Sequence, residues 1–189
     1  MGREPSRIVE LRMNKTRPDS YLTKYIPDFF DYKTVLYIGI EKYRCVFIKN
    51  LVEHGYIIDL LEIWKPHADH YREANKKLCI FRDIYNGDVR KIDEVIIGKK
   101  YDVVFWFHGP EHILKDQIPE TFNKIKKYTK KLLVMACPHG ESESPARDGN
   151  IYNEHYCALY PQDFIDLGFN AISENDVRIK AWWRNEKDI

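Results

Sequence analysis

The residues best able to do chemistry are four histidines in two short segments. His108 and His112 flank the stretch His-Gly-Pro-Glu-His, and His139 and His155 bracket a longer polar loop. Imidazole, with an unperturbed pKa of about 6.5, can take a proton from a hydroxyl or amine at neutral pH. His155, within Asn-Glu-His-Tyr, is the first candidate for such a base, because its loop would close over whatever lies beneath; His108 is the second. The structural alternative for His112 is that it and Glu111 brace their loop through hydrogen bonds.

Cys137-x-His139 and His155-x-Cys157 also compose a Cys₂His₂ set. One residue between ligands is tighter than the roughly two to four found in structural zinc sites, so no metal is expected. The four cysteines lack disulfide-type spacing and should be reduced, with Cys45 and Cys79 among apolar neighbours as core residues. The chain has no Gly-x-x-x-x-Gly-Lys-Ser/Thr phosphate loop, no Gly-x-Ser-x-Gly and no His-Glu-x-x-His.

These candidates need a frame, and the apolar pattern supplies one. Short buried-strand runs occur at 34–39, 56–62, 77–81, 101–107 and 132–136, with two late strands at 170–173 and 177–183. Between them lie helical periods, for example Ile118, Phe122, Ile125 and Tyr128 on one face. Strands alternating with helices predict an α/β fold, a Rossmann-like doubly wound, mostly parallel seven-stranded sheet with an antiparallel last strand. Residues 1–32 read as a lead-in segment packed on or near the site, and residues 33–189 as the domain itself.

In such sheets ligands bind beyond the carboxyl ends of the strands. Here those ends carry Gly39, Glu62, Asp88, His108 and Cys137, each directly after an apolar run or its turn. Gly39 lets backbone approach a ligand closely. Glu62 follows it at the separation where Rossmann-like folds place a carboxylate on a pair of ribose hydroxyls, although a solvated strand-end carboxylate is the simpler alternative.

Six segments, in this order and spacing, resemble the class I S-adenosylmethionine-dependent methyltransferases. They are VLYIG (35–39), IIDLLEI (57–63), GDV (87–89), YDVVFWFHGPEHI (101–113), LLVMACPHG (132–140) and NEHY…PQDFIDLGF (153–169). The resemblance implies that Gly39 approaches the methionine part of S-adenosylmethionine, while Glu62 holds the ribose and Ile63 lies against adenine. It implies further that Asp88 accepts from the adenine amino group, Val89 donates its amide, and Phe107 and His108 lie beneath the sulfonium. The chain departs from the family at the glycine loop, where Glu41 and Tyr43 replace two glycines and Tyr37 replaces an acidic residue. Glu41 either supplies the missing carboxylate for the cofactor's amino group or fills the pocket. The corresponding functional expectations are a methyltransferase, or a non-catalytic or differently liganded binding protein on the same fold.

Composition narrows the partners. Thirty basic against 29 acidic residues, a net charge of +1, gives no bulk attraction to nucleic acid or anionic membranes. The Lys124–Lys131 run reads as the solvated face and last turn of a helix. No apolar run reaches the ~20 residues of a membrane span, and the first twenty residues lack a secretory pattern, so a cytoplasmic location is expected. The remaining partner is a methyl acceptor, small or macromolecular.

Overall fold

A computed structural model describes residues 24–40, 46–146 and 149–186. Its centre is a seven-stranded sheet: β1 (Thr34–Ile38), β2 (Ile57–Glu62), β3 (Phe81–Asn86), β4 (Tyr101–Phe107), β5 (Thr129–Pro138), β6 (Asn170–Glu174) and β7 (Arg178–Arg184). The spatial order is β3-β2-β1-β4-β5-β7-β6, and β7 alone runs against the rest. The expected Rossmann-like doubly wound sheet with an antiparallel last strand is therefore present.

Strand alternation sorts the apolar residues into two cores. Val35, Tyr37, Val103 and Phe105 point to one face, where they meet Ile48 and Leu51 of α1 (Val46–Glu53) and Tyr71 of α2 (Lys65–Leu78). Leu36, Ile38, Val104 and Trp106 point to the other. There they meet α3 (Ile92–Val95), α4 (Ile118–Tyr128) and α5 (Pro161–Ile165). Ile118, Phe122 and Ile125 of α4 are buried as their spacing predicts, and Phe122 packs edge-on against Trp106. Each fully buried side chain of this size contributes about 1.5–3 kcal/mol, so the two faces hold the sheet in one register.

The third strand corrects the sequence expectation. Residues 77–81 complete α2 and turn into β3, which starts only at Phe81. Asn75 makes this break: its Oδ1 accepts from the amides of Ile80 and Phe81, both at 2.8 Å, and its Nδ2 donates to the Phe81 carbonyl at 2.7 Å. The apolar run misleads because β3 is an edge strand, Phe-Arg-Asp-Ile-Tyr-Asn, whose charged residues suit a sheet border. Cys79, expected in the core, is exposed at the left-handed cap of α2. Cys45 lies outside the described residues, as does Asp19-Ser20, a pair whose sequence suits a helix start.

Of the lead-in segment, Ile26 and Phe29 are fully enclosed, Phe29 packing on Tyr56 and Phe105. Asp28 pairs with Arg184 of β7, whose guanidinium holds its carboxyl well below the usual range. Among the described residues no helix is long and apolar enough to cross a membrane.

One polar cluster ties β2, β3 and β4 together. Asp59, fully buried in β2, accepts from Arg82 Nε and Nη2 at 2.8 and 2.7 Å and from Tyr101 Oη at 2.7 Å. Lys99 lies 3.4 Å from it and bonds Asp83 and Tyr85. Burial pushes Asp59 upward, but Arg82, Tyr101 and Lys99 outweigh it and hold the carboxyl below its ordinary value.

Asp59→Asn is expected to lower stability by about 2 kcal/mol at pH 7 in urea denaturation, below the roughly 3–5 kcal/mol of fully buried pairs because Arg82 is partly solvated. Because the folded pKa of Asp59 lies below the unfolded one, its contribution is complete above about pH 4 and fades as pH falls through the folded value. The gap between wild type and Asp59→Asn should therefore narrow when the same denaturations are repeated below pH 4. A gap that is constant with pH would contradict this role.

Candidate functional site

Chain order runs outward from β1 and β4 in both directions, so the switch point of the sheet lies between them. A cleft of about 500 Å³ opens there, within the range of small-molecule sites. Its walls are Gly39 and Ile40 after β1, Glu62–Trp64 after β2, Asp88–Arg90 after β3 and Phe107–Gly109 after β4. His112, Ser144, Asn150, Tyr152, Asn153 and His155 close the remaining side. The structure thus gathers Gly39, Glu62, Ile63, Asp88, Val89, Phe107, His108 and His155 around one space, while Glu41 lies outside the described residues.

Gly39 takes a left-handed φ of +67°, and the space where a Cβ would stand is open. Backbone conformation, not crowding, calls for glycine here. Its amide bonds the Leu61 carbonyl at 2.8 Å, which seats the turn on β2.

Glu62 is only 4% exposed. Its Oε2 accepts from the Ile40 amide at 3.1 Å and its Oε1 from the Trp64 amide at 2.8 Å. Burial raises its pKa, with the amides of Trp64, Ile40 and Ile63 pulling it back down. A carboxylate offers about four lone-pair directions, so these amides leave it able to accept from a ligand hydroxyl. Asn86 fixes the next strand end by donating to the carbonyls of Glu62 and Ile63, at 2.8 and 3.0 Å.

Asp88 has partners of its own. It caps the turn at Val89–Lys91 through the Arg90 amide at 2.9 Å, and Arg90 Nη2 lies 2.6 Å from its Oδ2. Arg90 also reaches Gln117 Oε1 at 3.0 Å, joining this wall to the start of α4. Sequence reasoning missed Arg90; the spacing Asp88-Val-Arg90, a cap followed by a cation two residues on, carried the signal.

Phe107 sits in an aromatic group with Tyr37, Phe47 and Phe105. His108 follows with φ at +50°, uncommon for a residue with a side chain, and its amide bonds Ala136 at 2.7 Å. A Cβ on Gly109 would fall 1.7 Å from Trp106 Nε1, so only glycine lets the indole pack under this turn. Together these constraints aim residues 108–112 across the cleft.

The bracing expected of Glu111 and His112 is half correct. His112 Nδ1 lies 2.9 Å from the Glu154 carbonyl, and the Glu111 carbonyl accepts from the Tyr156 amide at 2.8 Å. The Glu111 carboxylate, by contrast, is buried and makes no hydrogen bond among the described residues. His155 Nδ1 faces the Ser142 carbonyl, and its ring lies 4.8 Å from that of His112. Burial pushes His112 below the usual histidine value, the Glu111 carboxylate acting against that shift.

The Cys₂His₂ set does not assemble. Cys137 is buried in the core, Cys157 points to the Ile113 carbonyl at 3.3 Å, and His139 packs edge-on against Tyr160. Burial raises the pKa of both thiols. Among the described residues the ligand-type atoms that converge belong to Glu111, His112 and His155.

No protein-family model and no curated protein sequence matches the chain. Solved structures do. The mitomycin 7-O-methyltransferase MmcR superposes with a TM-score of 0.58 at 19% identity, over 84% of this chain and 50% of its own. An S-adenosylmethionine-dependent methyltransferase from Clostridium acetobutylicum ATCC 824 gives 0.60 at 11%, over 86% and 87%. Magnesium protoporphyrin IX methyltransferase (ChlM) from Synechocystis PCC 6803, with SAH bound, gives 0.57 at 12%, over 89% and 81%. The chain spans about half the length of MmcR. By strand order, the antiparallel last strand and these superpositions, the chain has the fold of the class I S-adenosylmethionine-dependent methyltransferases.

Proposed function

We propose that the protein binds S-adenosylmethionine in the cleft at the switch point and transfers its methyl group to an acceptor held under the 139–160 loop. One observation carries this reading: the buried Glu62 carboxylate, anchored by backbone amides that leave it acceptor capacity, lines a cleft of fitting volume. Such a carboxylate can accept from both ribose hydroxyls of a nucleoside. The open space beside Gly39 suits the methionine portion, and Ile63, Asp88 and Val89 line the part left for adenine.

The sulfonium supplies an activated methyl group and a good leaving group. The chain's own residues then have three tasks: alignment of acceptor and methyl, exclusion of water, and removal of an acceptor proton where there is one. Phe107 and His108 lie at the end of β4, where the acceptor approaches. His155 offers a second imidazole from the opposite wall, with Nδ1 turned to the Ser142 carbonyl and Nε2 left for the cleft.

A second reading, a binding protein on the same fold without transfer, is favoured by one feature. Arg90 covers the Asp88 carboxylate that would otherwise receive the adenine amino group.

Isothermal calorimetry is expected to give micromolar binding of S-adenosylmethionine or S-adenosylhomocysteine, about −8 kcal/mol. No heat and no thermal shift at millimolar ligand would favour the second reading. Glu62→Ala, with an unchanged circular dichroism spectrum, should weaken that affinity at least tenfold, about 1.4 kcal/mol. His155→Ala should leave cofactor affinity nearly unchanged and reduce turnover of a methyl acceptor about a hundredfold.

A further inference from the structure

One charged group beside the cleft lacks what a buried charge needs. Glu111 is only 2% exposed, and neither of its carboxylate oxygens has a hydrogen-bond partner among the described residues. Buried carboxylates are paired, hydrogen-bonded or coordinated to metal. The nearest cation candidate, His108 Nδ1, is 3.4 Å away on a ring that is 42% exposed.

Two other imidazoles converge on the same carboxylate. Ligand atoms of Glu111, His112 and His155 all lie within 4.8 Å of one another. Backbone carbonyls fix the state of both rings: His112 Nδ1 meets the Glu154 carbonyl at 2.9 Å, and His155 Nδ1 meets that of Ser142. A carbonyl oxygen only accepts, so in the neutral ring each Nδ1 carries the hydrogen and each Nε2 keeps its lone pair. Metal-binding histidines are held in this way, one nitrogen donating to a carbonyl and the other turned to the ion.

We propose that Glu111, His112 and His155 form a binding site for one divalent transition-metal cation, best matched by Zn²⁺. Two imidazole nitrogens and one carboxylate oxygen suit zinc and its neighbours and leave coordination positions open. Mg²⁺ and Ca²⁺ prefer oxygen donors throughout. The ligands come from two segments, the turn after β4 and the loop before α5, so the ion clamps the cover of the cleft to its floor. His112 and His155 line the cleft, which turns the open positions toward an oxygen- or nitrogen-bearing acceptor. The Nε2 lone pair of His155 then serves the ion instead of a proton, and a metal-bound acceptor loses its proton more readily. The site shares no residue with the nucleoside wall at Gly39 and Glu62, so it stands whether or not S-adenosylmethionine binds. It also reverses the expectation of no metal, which rested on the Cys-x-His spacing.

The test is a titration of the full chain, stripped with chelator, without S-adenosylmethionine. Calorimetry should find one Zn²⁺ per chain, with Mg²⁺ at least about 100-fold weaker. Glu111→Gln and His112→Ala should each weaken Zn²⁺ about 100-fold or more, and His139→Ala should change nothing. Glu111→Gln preserves the side chain's shape, so it decides the matter if His112→Ala fails to fold. Co²⁺ should give visible absorption without a thiolate charge-transfer band. Absence of stoichiometric Zn²⁺ binding, an affinity unchanged by Glu111→Gln, or a thiolate band would each overturn the proposal.

Discussion

The cleft depends on burying one carboxylate at the end of β2. Glu62 is pulled out of water by its position at the switch point, and the amides of Ile40 and Trp64 are what make that burial tolerable. The same two bonds couple the turn after β1 to the turn after β2, so the walls of the site form as the charge is satisfied. Asn86 extends the coupling to β3, and Asp88 with Arg90 extends it to α4. A ligand hydroxyl would complete a set of acceptors that the fold has already oriented, which lowers the ordering cost of binding.

The opposite wall is built on a different principle. There the chain is forced into position by sterics at Gly109 and by the left-handed turn at His108, and it is latched to the 139–160 loop by the Tyr156 amide on the Glu111 carbonyl and by His112 Nδ1 at the Glu154 carbonyl. Among its described residues that loop carries one short turn, Ile151–Asn153, which Asn150 caps. The two walls meet at the end of β4, where Phe107 is packed on aromatics and His108 faces the cleft. A rigid wall at Glu62 opposite a latched cover would suit the proposed division between cofactor and acceptor.

Much of this was legible in the residues. Tyr-Asp-Val-Val-Phe-Trp-Phe reads as a strand because six of its seven residues are strand-favouring or apolar and leave no helical face, and β4 has those bounds. The strand ends were legible because burial stops where polarity starts, which located Gly39, Glu62, Asp88 and His108 at one edge. β3 was not, because an edge strand carries charge and the apolar residues before it belong to a helix cap set by Asn75. The Asp59 cluster was equally hidden: its partners Arg82, Lys99 and Tyr101 are distant in sequence, and nothing local marks a buried aspartate inside an apolar strand. Glu111 was visible as a residue, but its isolation from donors is a property of packing alone.

The most direct test of the account is a crystal structure of the chain grown with S-adenosylhomocysteine. The account predicts both ribose hydroxyls on the Glu62 carboxylate, the amino-acid portion beside Gly39 and the sulfur near Phe107 and His108. Crystals that leave the cleft empty at saturating ligand, or place the nucleoside away from Glu62, would contradict it.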